Sequence, residues 1–96
     1  NVMNNGEFAT FVNALKRNAS FDKDKIAMIF SVSRNTNFTS LQVQTLLKAM
    51  SFDDNRLEVA KMLYQNCVDR RNYFVVHEAF DFDSAKRKLD DYISRF

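Results

Sequence analysis

Residues 51–57 read Ser-Phe-Asp-Asp-Asn-Arg-Leu, and the Phe-Asp dipeptide in this stretch decides how the chain is organised. It occurs three times, as Phe21-Asp22, Phe52-Asp53 and Phe82-Asp83, at separations of 31 and 30 residues. Each copy comes just before a stretch in which apolar residues recur at the spacing of an α-helix. We therefore expect helix–loop–helix repeats with a period of about 31 residues, with a Phe-Asp pair at the start of a helix in each repeat.

The composition of the 96 residues favours a single all-α domain. The chain is 46% hydrophobic and contains ten Phe and three Tyr, enough for a core without disulfides. It has one Gly and no Pro, whereas sandwiches and barrels of many short strands need both at their turns. We predict a compact bundle of about six short helices over residues 1–96, with residues 1–4 as the remnant of a linker to a longer protein.

The charge of the chain is nearly balanced, with 14 basic and 12 acidic side chains and a net charge of +2. No strong attraction to nucleic acid is expected from this balance, so nucleic-acid binding is the weaker alternative. No apolar run approaches the ~18–20 residues that span a bilayer, and we expect no membrane insertion. The sequence gives no oligomeric state.

The three Phe-Asp pairs are interpreted as structural devices at helix starts. Asp22, Asp53 and Asp83 suit the N-cap position, where a carboxylate accepts hydrogen bonds from free backbone N–H groups. Phe21 and Phe52 would then precede the cap and pack on the aliphatic residue five positions later, as a hydrophobic staple. Phe82 lacks such an aliphatic partner, because position 87 is Arg87.

A different set of residues predicts the same arrangement at the third helix. Thr39 and Gln42 have the spacing of a capping box, in which each side chain bonds to the backbone of the other residue. Phe38 precedes the cap and is expected to pack on Val43. The helix itself is predicted to end near Ala49.

The helix–loop–helix spacing is similar to that of paired EF-hands, which bind calcium. With Phe38 as the central hydrophobic position, the oxygen ligands would come from Ser31, Ser33, Asn35 and Gln42. None of these is a carboxylate, and calcium needs several oxygens including a bidentate carboxylate. We expect no metal and no cofactor.

Cys67 and His77 are the residues closest to a catalytic pair. Both fall on predicted buried stripes, where Cys acts as a small hydrophobe. A catalytic pair requires the nucleophile and the base to meet in a cleft, and their spacing alone does not indicate this. The enzymatic alternative is a carboxylate enzyme that uses Asp69 and Glu78 near His77, but we expect no enzymatic activity.

Basic residues cluster at Arg70-Arg71 and at Lys86-Arg87-Lys88. Three consecutive residues spread around a helix, and Asp90 can pair with Lys86 at i, i+4. These clusters are therefore interpreted as a solvated charged surface.

Several of these motifs together resemble the domain of unknown function family 4476. They are Ser20-Phe21-Asp22, Phe38-Thr39-Ser40-x-Gln42-Val43, Ser51-Phe52-Asp53-x-x-Arg56-Leu57-x-x-Ala60-x-x-x-Tyr64, Asp69-x-x-Asn72-Tyr73 and Phe82-x-Ser84. The resemblance implies a small all-helical domain, frequent in exported bacterial proteins, and hence an extracytoplasmic location. The family has no established activity, so no catalytic residues are implied.

Asp69 and Asn72 match the motif without belonging to an apolar stripe. We expect them to order the loop between the fourth and fifth helices through hydrogen bonds to the backbone.

The functional expectation is a non-catalytic interaction or structural module. It would bind another protein, or flanking segments of its own chain, in a groove lined by exposed aromatic residues such as Phe74 or Phe96.

Overall fold

The computed structural model describes residues 1–96 and contains five α-helices, one 3₁₀ turn and one longer 3₁₀ segment. The elements are α1 (Asn5–Asn18), α2 (Asp22–Ser33), α3 (Ser40–Lys48), α4 (Asp53–Leu63), the 3₁₀ turn (Tyr64–Asn66), the 3₁₀ segment (Arg70–Ala79) and α5 (Asp83–Ile93). The predicted all-α class is confirmed, while the period of about 31 residues stays a prediction. None of the helices is both long and apolar enough to span a bilayer.

One hydrophobic core of 20 buried residues joins all the helices. Each α-helix contributes at least one side chain with no exposed area, namely Leu15, Ile29, Leu46, Leu63 and Leu89. The most extensive packing is between α3 and the 3₁₀ segment, followed by that between α4 and α5. The molecule measures 31 × 28 × 19 Å, the shape of a closed bundle rather than an extended array.

The fifth predicted helix forms, but as a 3₁₀ helix. A 3₁₀ helix has three residues per turn, so residues i and i+3 eclipse each other. Tyr73, Val76 and Ala79 follow this spacing and are all buried. The Tyr73 hydroxyl donates a hydrogen bond of 2.6 Å to the Ala60 carbonyl oxygen, which fastens the segment to α4.

Residues 1–4, predicted to be a linker remnant, are attached to the bundle. Val2 and Asn37 form an isolated parallel β-bridge. The Met3 N–H donates to the Asn37 carbonyl at 3.2 Å, and the Asn37 N–H donates to the Asn1 carbonyl at 2.7 Å. Asn4 is the N-cap of α1. The stretch is therefore part of the fold.

The prediction that Asp22, Asp53 and Asp83 are N-caps was wrong by one position. In all three cases the preceding Phe is the N-cap, in extended conformation, and the Asp is the first helical residue. The staple prediction for Phe21 and Phe52 was wrong as well, because these side chains are 73% and 68% exposed; Phe82, which lacks an aliphatic partner, is 67% exposed. A staple residue must precede the N-cap, and here the Phe itself occupies the cap.

The start of α3 has the local geometry that its sequence predicts. Thr39 Oγ1 accepts a hydrogen bond from the Gln42 N–H at 3.1 Å, and Gln42 Oε1 accepts one from the Thr39 N–H at 3.0 Å. Phe38 precedes this cap, and both Phe38 and Val43 are fully buried. The Gln42 amide also donates to the Met3 carbonyl at 2.9 Å, so the same residue fastens the N-terminal stretch.

Candidate functional site

Asp22 connects α2 to the start of α4. Its carboxylate accepts hydrogen bonds from the backbone N–H groups of Ser51 at 2.9 Å and Phe52 at 3.1 Å, and from the Asn55 amide at 3.0 Å. These N–H groups lie at the positive end of α4. Burial of the carboxyl opposes ionisation, but the hydrogen bonds outweigh it and hold the pKa of Asp22 below its usual value.

Asp53 makes the equivalent connection from α4 to the start of α5. Its carboxylate accepts hydrogen bonds from the Asp81 N–H at 3.0 Å and the Phe82 N–H at 2.9 Å. It also accepts one from Arg56 Nη1 at 2.9 Å. Despite the opposing effect of burial, these donors lower the pKa of the Asp53 carboxyl.

These two connections place the three Phe-Asp pairs next to one another. The Phe52 backbone is bonded to the residue that follows Phe21, and the Phe82 backbone to the residue that follows Phe52. The starts of α2, α4 and α5, each of which carries one exposed Phe ring, are therefore linked in series by hydrogen bonds. We call Phe21, Phe52 and Phe82 the phenylalanine row.

Asp83 stands at the end of this series and has no such backbone partner. Its side chain is 80% exposed and pairs with Lys86 at 3.2 Å. Thus Asp22 and Asp53 each connect one helix to the start of another, whereas Asp83 does not.

Arg56 is a buried side chain that fastens three helix ends, and sequence analysis did not assign it this role. Its guanidinium donates to the carbonyl oxygens of Leu47 at 3.2 Å and Met50 at 2.6 Å, near the end of α3. It also donates to Asp53 at 2.9 Å and Asp81 at 3.0 Å. Burial disfavours the charge, but the two carboxylates more than compensate and raise the pKa of Arg56.

Asp69 fastens the start of α3 as well as its own loop. One carboxylate oxygen accepts from the Ser40 N–H at 2.7 Å and the Ser40 hydroxyl at 2.9 Å. The other accepts from the Asn72 amide at 3.1 Å. Burial opposes ionisation, yet these donors together with the Cys67 thiol lower the pKa of Asp69 to about 2.

The low pKa of Asp69 predicts a loss of stability in acid. A carboxyl whose pKa is lower in the folded state stabilises it fully above the unfolded value of 3.8, and this contribution disappears as the pH falls toward 2. We expect Asp69→Asn to lower the free energy of unfolding by about 2 kcal/mol at pH 7 and by much less near pH 2. Urea denaturation at both pH values measures this difference.

Asp24→Asn is the matched control for Asp69→Asn, because Asp24 is exposed in the first turn of α2 and its side chain makes no hydrogen bond. It is expected to leave the pH profile unchanged. Parallel profiles for wild type and Asp69→Asn would show that the interactions of Asp69 do not depend on its charge.

The structure does not bring the candidate catalytic residues together. Cys67 is buried against the Ser40 hydroxyl at 3.3 Å, and burial raises the pKa of its thiol, which opposes formation of a reactive thiolate. His77 Nε2 is 2.7 Å from Asp90 Oδ1 instead. No hydrogen bond links Asp69 or Glu78 to His77. In addition, no group of three or more His, Cys, Asp or Glu side chains could hold a metal ion.

A second surface feature is a shallow cleft of about 440 Å³ between α4 and α5. We call it the α4–α5 cleft. It is lined by Lys61, Ser84, Arg87, Lys88, Asp91, Tyr92 and Arg95. The helical spacing of the α5 members is visible in the sequence, but the contribution of α4 depends on tertiary packing and was missed.

The fold and the site define a small all-α domain in which the carboxylates of Asp22, Asp53 and Asp69 join helix starts to other parts of the fold. The family model described as "Domain of unknown function (DUF4476)" matches residues 2–93. The chain therefore belongs to this family. No curated protein and no solved structure matches the chain.

Proposed function

We propose that this domain is a non-catalytic interaction module of an exported protein and that it binds protein through the phenylalanine row. The observation that carries the proposal is the exposure of all three rings at helix starts that hydrogen bonds link to one another. Single exposed apolar residues are ordinary, whereas adjacent large ones are typical of interaction surfaces. Aromatic residues also supply much of the binding energy at protein interfaces.

The backbone beneath the row favours binding because it is held in place. The N–H groups of Phe52 and Phe82 are bonded to Asp22 and Asp53, so the corresponding helix starts are fixed relative to each other. A preorganised surface loses little conformational entropy when a partner binds. The Asp residues thus support the row without contacting the partner.

The partner chemistry that fits the row is an apolar segment of another protein or of the flanking parts of the same chain. Such a segment would bury the three rings at about 25 cal/mol for each Å² of apolar surface removed from water. The extracytoplasmic location rests on the family resemblance, in which such domains are frequent in exported proteins.

The state of the carboxylates supports a non-catalytic role. A carboxyl that acts as a general acid near neutral pH needs a raised pKa. Asp22, Asp53 and Asp69 instead have lowered pKa values, and each is occupied by backbone N–H groups at the start of a helix. Neither a carboxylate enzyme nor a nucleic-acid binder is favoured by a specific observation.

The test compares the double variant Phe21→Ser/Phe52→Ser with the control Phe30→Ser/Leu41→Ser, which also removes two exposed apolar side chains. All four side chains are exposed, so both variants should stay folded. The domain is used to capture proteins from the exported fraction, and peptides of the flanking segments are titrated separately. We expect the row variant to weaken binding of the identified partner at least about tenfold and the control to leave it unchanged.

Two outcomes would contradict the proposal. One is a partner that binds wild type and the row variant equally well. The other is the absence of any partner among both exported proteins and flanking peptides.

A further inference from the structure

We propose that the α4–α5 cleft binds an extended acidic peptide segment. The cleft is lined by four cationic side chains and one carboxylate, whereas the whole chain has a net charge of only +2. The surface outside the cleft is therefore slightly acidic overall. This concentration of positive charge in one concave region attracts and orients an anionic ligand.

The cleft has the form of a strip along α5. Ser84, Arg87 and Asp91 follow one another at spacings of three and four residues, so they share one face of α5, and Arg95 lies in the turn just after the helix. From Ser84 to Asp91 the helix rises about 10 Å. An extended peptide covers this distance with about three residues and reaches Arg95 with a few more. Lys61 of α4 faces the strip from the other side.

Two of the four cations have no partner within the protein. Arg87 and Lys88 are exposed and form no ion pair or side-chain hydrogen bond. Arg95 is paired with Asp91 at 2.9 Å, and the Lys61 ammonium lies 5.5 Å from the centre of the Tyr92 ring. The free charge is thus concentrated toward the N-terminal end of the strip.

The position of Asp91 favours a peptide over a nucleic acid. A nucleic-acid backbone carries a negative charge at every step, so it would place a phosphate near this carboxylate. A peptide can present acidic side chains to Arg87, Lys88 and Lys61 and a neutral side chain to Asp91. The open, shallow form of the cleft also suits a segment lying across it better than an enclosed small molecule.

The test is an NMR titration of the whole chain with a six-residue peptide of alternating glutamate and serine, blocked at both ends. We expect the amide shifts to be confined to α5 and the vicinity of Lys61, and to be lost at about 0.5 M salt. Arg87→Glu/Lys88→Glu should raise the Kd at least about tenfold.

The matched control is Lys16→Glu/Arg17→Glu, which makes the same charge change at exposed positions in the last turn of α1. It should leave the Kd within about twofold of wild type. An equal loss in this control would overturn the proposal, because net charge alone would then explain binding. A missing response at about 10 mM peptide would overturn it too.

A six-nucleotide single-stranded DNA is titrated in parallel. Tighter binding of this DNA at the cleft would overturn the assignment of a peptide ligand. The inference is independent of the phenylalanine row, so Phe21→Ser/Phe52→Ser is expected to bind the acidic peptide like wild type. Failure of the row proposal and failure of the cleft proposal are thereby distinguished.

Discussion

Replacing Arg56 with methionine is expected to lower the free energy of unfolding by about 3 kcal/mol or more. Methionine fills much of the volume but cannot donate hydrogen bonds. The carbonyls of Leu47 and Met50 would lose their guanidinium donor, and Asp53 would lose its cationic partner. Buried polar groups left without partners cost far more than an exposed ion pair contributes.

Arg95→Met is the control for Arg56→Met, because the Arg95–Asp91 pair has the same chemistry at the surface. Both of its side chains are about 70% exposed, and we expect a change below about 0.5 kcal/mol. Urea denaturation monitored by circular dichroism measures both variants. Similar values for the two would show that the network around Arg56 adds little to stability.

Phe38→Ala is expected to cost about 3–5 kcal/mol, whereas Phe52→Ala should change stability by less than about 0.5 kcal/mol. The two residues look alike in the sequence, since each lies at the start of a predicted helix. In the structure Phe38 is fully buried and packs edge to face on Phe8, with 6.3 Å between the ring centres. Phe52, in contrast, is mostly exposed. Removing the Phe38 ring leaves a cavity in the core.

Urea denaturation monitored by circular dichroism also measures the stabilities of Phe38→Ala and Phe52→Ala. A cost for Phe52→Ala approaching that of Phe38→Ala would restore the staple interpretation for the Phe-Asp pairs. Phe82→Ala serves as a second exposed example, and it is expected to behave like Phe52→Ala.

Capping by Thr39 and Gln42 could be predicted because it depends only on residues three positions apart. Both hydrogen bonds of that box join near neighbours in the chain. The interactions of Asp22 and Asp53 could not be predicted in this way. Apart from Arg56, which lies three residues after Asp53, their partners lie 28 to 33 residues further along, and only the packing of whole helices brings them together.

The difference between an Asp at the N-cap and one at the first helical position is a single residue, which is within the usual uncertainty of helix ends. This shift of one residue changes the role of the preceding Phe, which becomes an exposed N-cap residue instead of a buried staple. The exposure of Phe21 and Phe52 therefore could not be predicted, because it depends on the exact position of the helix start. The 3₁₀ pitch of Arg70–Ala79 was missed for a related reason, since short apolar patterns fit more than one helical period.

The bonds from Asp22 and Asp53 to later helix starts also affect how the molecule opens. The amide hydrogens of Ser51, Phe52, Asp81 and Phe82 belong to connecting segments, where exchange with solvent is ordinarily fast. Here each donates a hydrogen bond to a carboxylate on an earlier helix, which is expected to slow its exchange. From α2 to α5 the domain is thus expected to open as one cooperative unit, without fraying helix by helix.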